Sequence, residues 1–174
     1  MKMKIIYICV LAIFATTSIA VGMIDLTNSY ESQPNPYYAE AWFHDHDGIT
    51  LTFVSDVWYN LTYNESTNLN GFTWDGDGNL TCLVSGLYKV AFTACGSGQN
   101  NHIYQLAVGL NGVVQVSTSA HKKMAAGGDE TDMGSSGFIR LVVGDYVSLM
   151  IRDHGGSGTG LYIHSNLNLV RIGD

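Results

Sequence analysis

From residue 39 onward, apolar and polar side chains alternate in short runs separated by turn-forming residues. Tyr88, Val90, Phe92 and Ala94 fall on one side of an extended chain, with Lys89 and Thr93 on the other. Tyr104, Leu106, Val108 and Leu110 share a side, as do Val147, Leu149 and Ile151, opposite Ser148 and Arg152. A period of two with one polar side predicts antiparallel sheets covered on one face. No stretch beyond residue 24 keeps a helical period. Strand-like runs are expected at 39–43 and 49–53 around a turn at 44–48, at 71–74 and 80–84 around 75–79, and at 87–94 after Ser85-Gly86. Further runs at 102–110 and 113–119 flank Asn111-Gly112, the strongest hairpin signal in the chain. Runs at 138–143 and 146–153 flank Gly144-Asp145, and 161–163 and 167–172 end the series. About ten short strands in about 135 residues predict an all-β fold, an antiparallel β-sandwich or jelly roll.

Three Gly-, Ser- and Asn-rich stretches, 95–101, 120–137 and 153–160, read as long loops. Loops carried on a rigid sandwich are where binding concentrates. Asn100, Asn101, His121, Lys122, Asp129, Asp153 and His154 are therefore the expected ligand-binding residues.

The N-terminus has a different pattern. Lys2 and Lys4 precede an apolar run over 5–14, and Ser18-Ile19-Ala20 supplies the small residues a signal peptidase reads. Residues 1–20 are expected to be a signal peptide. The alternative is a retained membrane anchor over 5–24, which is about long enough to span a bilayer. Residues 21–38, with Pro34 and Pro36, read as an extended arm or linker before a domain at 39–174. Export places the domain outside the cell, on a cell surface or on a virion.

Composition fits one domain. The 174 residues are 46% hydrophobic and 13% charged, long enough for a real core and too apolar for disorder. The formal net charge is −7, and loss of Lys2 and Lys4 with a signal peptide takes it to −9. Lys122-Lys123 is the only basic pair beyond the N-terminus, so no nucleic-acid partner is expected.

Candidate chemistry is sparse. His44-Asp45-His46-Asp47 is the densest polar cluster, but an extended chain points the histidines away from the aspartates, and a solvated turn explains it. Asp75 and Asp77, spaced by two among glycines, resemble half of a calcium loop. The twelfth position from Asp75 is Gly86, where a bidentate Glu belongs, so calcium stays a possible ligand and no other cofactor is expected. Asn60, Asn64 and Asn79 open glycosylation sequons that matter only in a host with that machinery. Ser117, Ser119, His121, Asp129 and Asp132 sit close in sequence, yet no strained elbow holds a nucleophile, and no enzyme is expected. Trp42, Trp58 and Trp74 suit packing or sugar stacking. With Ser85-Gly86 as a hairpin turn, Cys82 lies opposite Lys89, about 20 Å from Cys95, and two buried free thiols are expected.

Gly86-Leu87-Tyr88-Lys89-Val90-Ala91-Phe92 resembles the aromatic strand of the tumour necrosis factor and complement globular-head (C-one-q) superfamily. The polar run 79–84 before it, Asn111-Gly112, the run Leu141-Val142-Val143-Gly144-Asp145-Tyr146-Val147-Ser148-Leu149, and the ending 161–172 resemble that superfamily's strands in the same order. The likeness covers roughly 39–172 and is greatest for variants on phage, viral and environmental proteins. No Gly-X-Y stalk precedes the domain, and the leader is too short for a coiled coil. The resemblance implies a compact homotrimer with a flat aromatic face between subunits, for which Tyr104, Tyr146 and Tyr162 are candidates. It implies a non-enzymatic binding or structural module that meets a protein or glycan on a cell surface. Two alternatives stay open: a monomeric carbohydrate-binding module, and a filament subunit whose arm is donated as a strand to the next copy.

Overall fold

The computed structural model describes residues 36–125 and 130–174, the side chains of 45–48, 67 and 161–163 apart. The expected signal peptide or anchor and nearly all of the arm, together with Asp129, lie outside the described residues. Among the described residues the regular structure is all strand. The strands are β1 (Tyr38–Phe53), β2 (Tyr59–Asn60), β3 (Glu65–Asn70), β4 (Phe72–Trp74), β5 (Leu80–Cys82) and β6 (Gly86–Ser97). β7 (Ile103–Leu110), β8 (Val113–Lys123), β9 (Glu130–Leu141), β10 (Tyr146–His154) and β11 (Gly158–Gly173) follow.

They pair into two antiparallel sheets. The first runs β3-β1-β11-β6-β9, and the second β4-β5-β10-β7-β8 with β2 also against β10. The alternating side chains explain the layering. Tyr88, Val90, Phe92 and Ala94 of β6 are buried against Tyr104, Leu106, Val108, Leu149 and Leu167, while Lys89 and Thr93 face out. Burying one such Leu or Phe stabilises by about 1.5–3 kcal/mol, so the shared interior supplies the main driving force. Phe72 meets Tyr88 edge-on at 5.2 Å between ring centroids, and Phe53 meets Tyr104 at 5.4 Å. Tyr104 is thus a core residue, not the interface candidate the sequence suggested.

Neighbouring strands in sequence pair in only two places, β4–β5 and β7–β8. The second is closed by Asn111 and Gly112, both at positive φ (51° and 76°), the conformation a two-residue hairpin requires. Ser85-Gly86 and Gly144-Asp145 are not hairpins. At each, the chain passes from one sheet to the other, because β5 and β10 belong to the second sheet while β6 and β9 belong to the first. Cys82 and Lys89 therefore do not pair, and both Cys82 and Cys95 are free thiols, Cys82 buried and Cys95 half-buried. The turn at 44–48 is also corrected. β1 runs through it as one strand, and both halves pair with β11 across a register irregularity between His44 and Ile49.

The three long loops contract in the same way. β6 extends to Ser97, β8 to Lys123, β9 begins at Glu130, and only 155–157 separate β10 from β11. Backbone pairing satisfies the main chain of these stretches however polar their side chains are. Composition therefore misled there.

Candidate functional site

Of the expected binding residues, His121 lies on β8, Lys122 beside it, and Asp153 and His154 on β10; Asn100 and Asn101 lie in the β6–β7 turn. Two of them, His121 and His154, are linked through three other side chains. Gln105 on β7 pairs with His121 on one side and with Arg152 of β10 on the other, giving a cross-strand row on the open face of the second sheet. The row is joined by hydrogen bonds. Arg152 Nε donates to Gln105 Oε1 at 2.6 Å, and Gln105 Nε2 lies 2.6 Å from His121 Nε2. Arg152 also approaches Asp56 at 3.4 Å and covers the ring of Trp58 at 4.8 Å. Asp56 in turn meets His154 Nδ1 at 2.7 Å.

The result is a chain of side chains, His121–Gln105–Arg152–Asp56–His154, floored by Trp58. Gln105 is 5% exposed, whereas Asp56 and His154 are each 49% exposed in their side chains. The inner members are fixed, and the ends meet solvent. The His154 hydrogen bond holds the Asp56 carboxyl below its ordinary value against partial desolvation, with help from the Ser55 hydroxyl and the Arg152 charge. Lys122 and Lys123 are exposed at the same end of β8. Three of the six lysines and arginines beyond residue 35 therefore gather here, on an otherwise acidic chain. The surface combines one planar guanidinium, stacked on the Trp58 ring, with two ammonium groups.

Asp153 is not part of this open row. Its side chain is fully buried, and its Oδ2 lies 2.6 Å from His102 Nδ1. Its Oδ1 has no hydrogen-bond partner. Gly156 is packed so tightly here that a Cβ would fall 2.5 Å from His102 Nδ1 and 2.7 Å from Asp153 Oδ1. The backbone N–H of Asp56 donates to the Asp153 carbonyl, and that of Met124 to the His102 carbonyl. Four connections are thereby tied together beneath the row.

The other sequence candidates stand as follows. Asp75 accepts from the N–H groups of Asp77 and Asn79 and from the Asn79 amide. Burial raises its pKa, and these hydrogen bonds outweigh burial and lower it below the ordinary value. Asp77 uses its carbonyl for Tyr63 N–H and Trp74 Nε1. No three His, Cys, Asp or Glu among the described residues meet to hold a metal. Of the sequon residues, Asn64 is exposed in the bend before β3, Asn60 is exposed on β2 and accepts from the Ser148 hydroxyl, and Asn79 is half-buried and tied to Asp75. Cys95 has its thiol pKa raised by burial and by hydrogen bonding to Asp132. Arg152, Gln105 and Asp56 were not singled out as binding residues from sequence, whereas Trp58 was noted for packing or sugar stacking. The one available signal was Arg152 on the polar side of its strand.

Two antiparallel sheets in this order define a jelly roll of the complement C1q and tumour necrosis factor type. No protein-family model matches the sequence, and no curated protein does. Solved structures match in fold. The globular domain of zebrafish complement 1qA aligns at TM-score 0.52 and 16% identity, over 78% of this chain and 97% of that one. The Eiger TNF of S. frugiperda gives 0.56 at 15% identity, over 80% and 94%. Murine APRIL gives 0.57 at 12% identity, over 79% and 100%.

Proposed function

We propose that this protein is an extracellular, non-enzymatic binding module that works as a homotrimer on a cell or virion surface. The observation that carries the binding role is the row His121–Gln105–Arg152–Asp56–His154 over Trp58, fixed by hydrogen bonds on a rigid sheet. Prearranged polar groups bind without the ordering cost of a mobile loop. The ligand is an acidic or hydroxyl-rich group on a surface protein or glycan, and three copies supply avidity.

Exposed apolar side chains support association. Tyr38, Val170 and Phe138 lie in one row across the open face of the first sheet, at 36%, 42% and 62% exposure, with Lys89 of β6 between Val170 and Phe138. Val113 and Val116 on the edge strand β8 are 64% and 74% exposed. An edge packing onto a neighbour's face is a heterologous contact, which closes into a ring at three copies when the rotation allows.

Light scattering on the chain lacking residues 1–20 tests the assembly, and binding to an array of acidic and neutral glycans tests the row. A trimer whose array signal falls in Arg152→Ala supports the proposal. A monomer that binds neutral sugars favours the carbohydrate-binding alternative. Polymers lost on deleting 21–35 favour the donated-strand filament.

A further inference from the structure

On the opposite sheet, at the polar end of its open face, His44 of β1 pairs in register with His164 of β11. The next positions in the same row are Cys95 of β6 and Asp132 of β9. The two imidazole centroids are 6.3 Å apart and tilted by 55°. Beside them opens a groove of about 400 Å³, lined by Glu40, Trp42, His44, His164 and Asn166 among others. His44 is exposed and His164 half-buried, so both rings reach solvent.

We propose that His44 and His164 form a two-imidazole chelate for a borderline divalent cation of the Zn²⁺, Ni²⁺ or Cu²⁺ class. Imidazole is a preferred ligand of these ions. With a Zn–N distance of about 2.0 Å, each ring centroid stands about 3.2 Å from the metal, and two rings at a tetrahedral angle have centroids about 5.2 Å apart. The observed separation exceeds this by about 1 Å, a gap that side-chain rotation closes. No third ligating group already converges there among the described residues, so water completes the shell. Glu40 and Asp132 make this end of the face acidic, and Lys89 lies several rows away, beside Phe138.

The location gives the ion a role. Pairing of β1 slips just beyond His44, and pairing of β11 with β6 slips between Tyr162 and His164. Bulges of this kind re-aim side chains and weaken the ladder locally. A cation held by both histidines clips the two longest strands together where their backbone pairing is interrupted.

The test is calorimetric titration of the full chain with Zn²⁺, and thermal unfolding with and without it. The expected result is saturable binding of one ion per chain and a rise of about 5 °C at saturating metal. His44→Asn and His164→Asn should each weaken binding about tenfold or more and abolish the rise. Cys95→Ser should leave both unchanged. His44→Gln and His164→Gln, with circular dichroism of the metal-free proteins, separate loss of the ligand from loss of the fold. Equal binding by wild type and both histidine variants overturns the proposal, as does loss in only one of them, which marks a single surface imidazole. Loss of binding in Cys95→Ser also overturns it.

Discussion

Arg152 Nε donates to Gln105 Oε1 at 2.6 Å, and this one contact fixes the direction of the Gln105 amide. Its carbonyl faces the guanidinium, so its NH₂ faces His121, whose Nε2 at 2.6 Å must accept. The neutral ring then carries its proton on Nδ1. Nitrogen-15 NMR of wild-type protein should show an unprotonated His121 Nε2 at neutral pH. Gln105→Ala should abolish that preference and cost about 1.5–3 kcal/mol in denaturant unfolding, the cost of breaking a bond to a charged group. A His121 Nε2 proton in the wild type would contradict the ladder.

At its far end the ladder senses acid. The Asp56 carboxyl titrates below its ordinary 3.8, chiefly through the His154 hydrogen bond. A depressed acid pKa contributes stability that is present above about pH 4 and lost as pH falls through the folded value. His154→Ala should return the Asp56 titration toward 3.8, read by carboxyl-carbon NMR. Both groups are well exposed, so global stability at pH 7 should change little.

Much of this fold was legible in sequence because the period of two is imposed by burial. Tyr88, Val90, Phe92 and Ala94 were placed correctly by alternation alone, and Asn111-Gly112 by its need for positive φ. The sheet partners were not legible. Ser85-Gly86 and Gly144-Asp145 have the chemistry of hairpin turns, yet they carry the chain between sheets, a choice made by distant strands. The site followed the same divide. His121 and His154 were visible as polar residues in a Gly-rich context, but what joins them is Gln105 and Arg152, brought alongside by cross-strand register. Asp153 shows the opposite case: its polarity suggested a ligand contact, and its side chain is buried against His102.

Tyr88 spans the passage from β5 to β6. Its hydroxyl donates to the Val84 carbonyl at 2.6 Å, and the residue is wholly buried. Tyr88→Phe should keep the packing against Phe72 and remove that bond, at a cost of about 1–2 kcal/mol in urea unfolding. Burial also lifts the phenol pKa well above 10. With the folded value raised, the stability it contributes is whole below about pH 10 and falls as pH climbs past it toward the folded value. The Phe variant should lack that alkaline component.

The buried Asp153–His102 pair yields the sharpest separation of structure from binding. Removing one partner leaves the other without compensation: His102→Ala strands a buried carboxylate that already has one unpartnered oxygen, and should cost about 1–3 kcal/mol. Asp153→Ala removes the buried charge but opens a cavity under Gly156 and should cost about 2–4 kcal/mol. An apolar pair, His102→Phe with Asp153→Leu, needs no partner for either group. It should recover much of the loss, since replacing both partners of a buried hydrogen bond by apolar groups of similar shape is often nearly neutral or stabilising. Thermal and denaturant unfolding of the single and double variants measure the coupling directly. A double variant as unstable as the two single losses added together would show that Asp153 and His102 do not act as a unit. The same double variant, assayed on the glycan array, should bind as the wild type does, because neither side chain belongs to the open row of His121, Gln105 and Arg152.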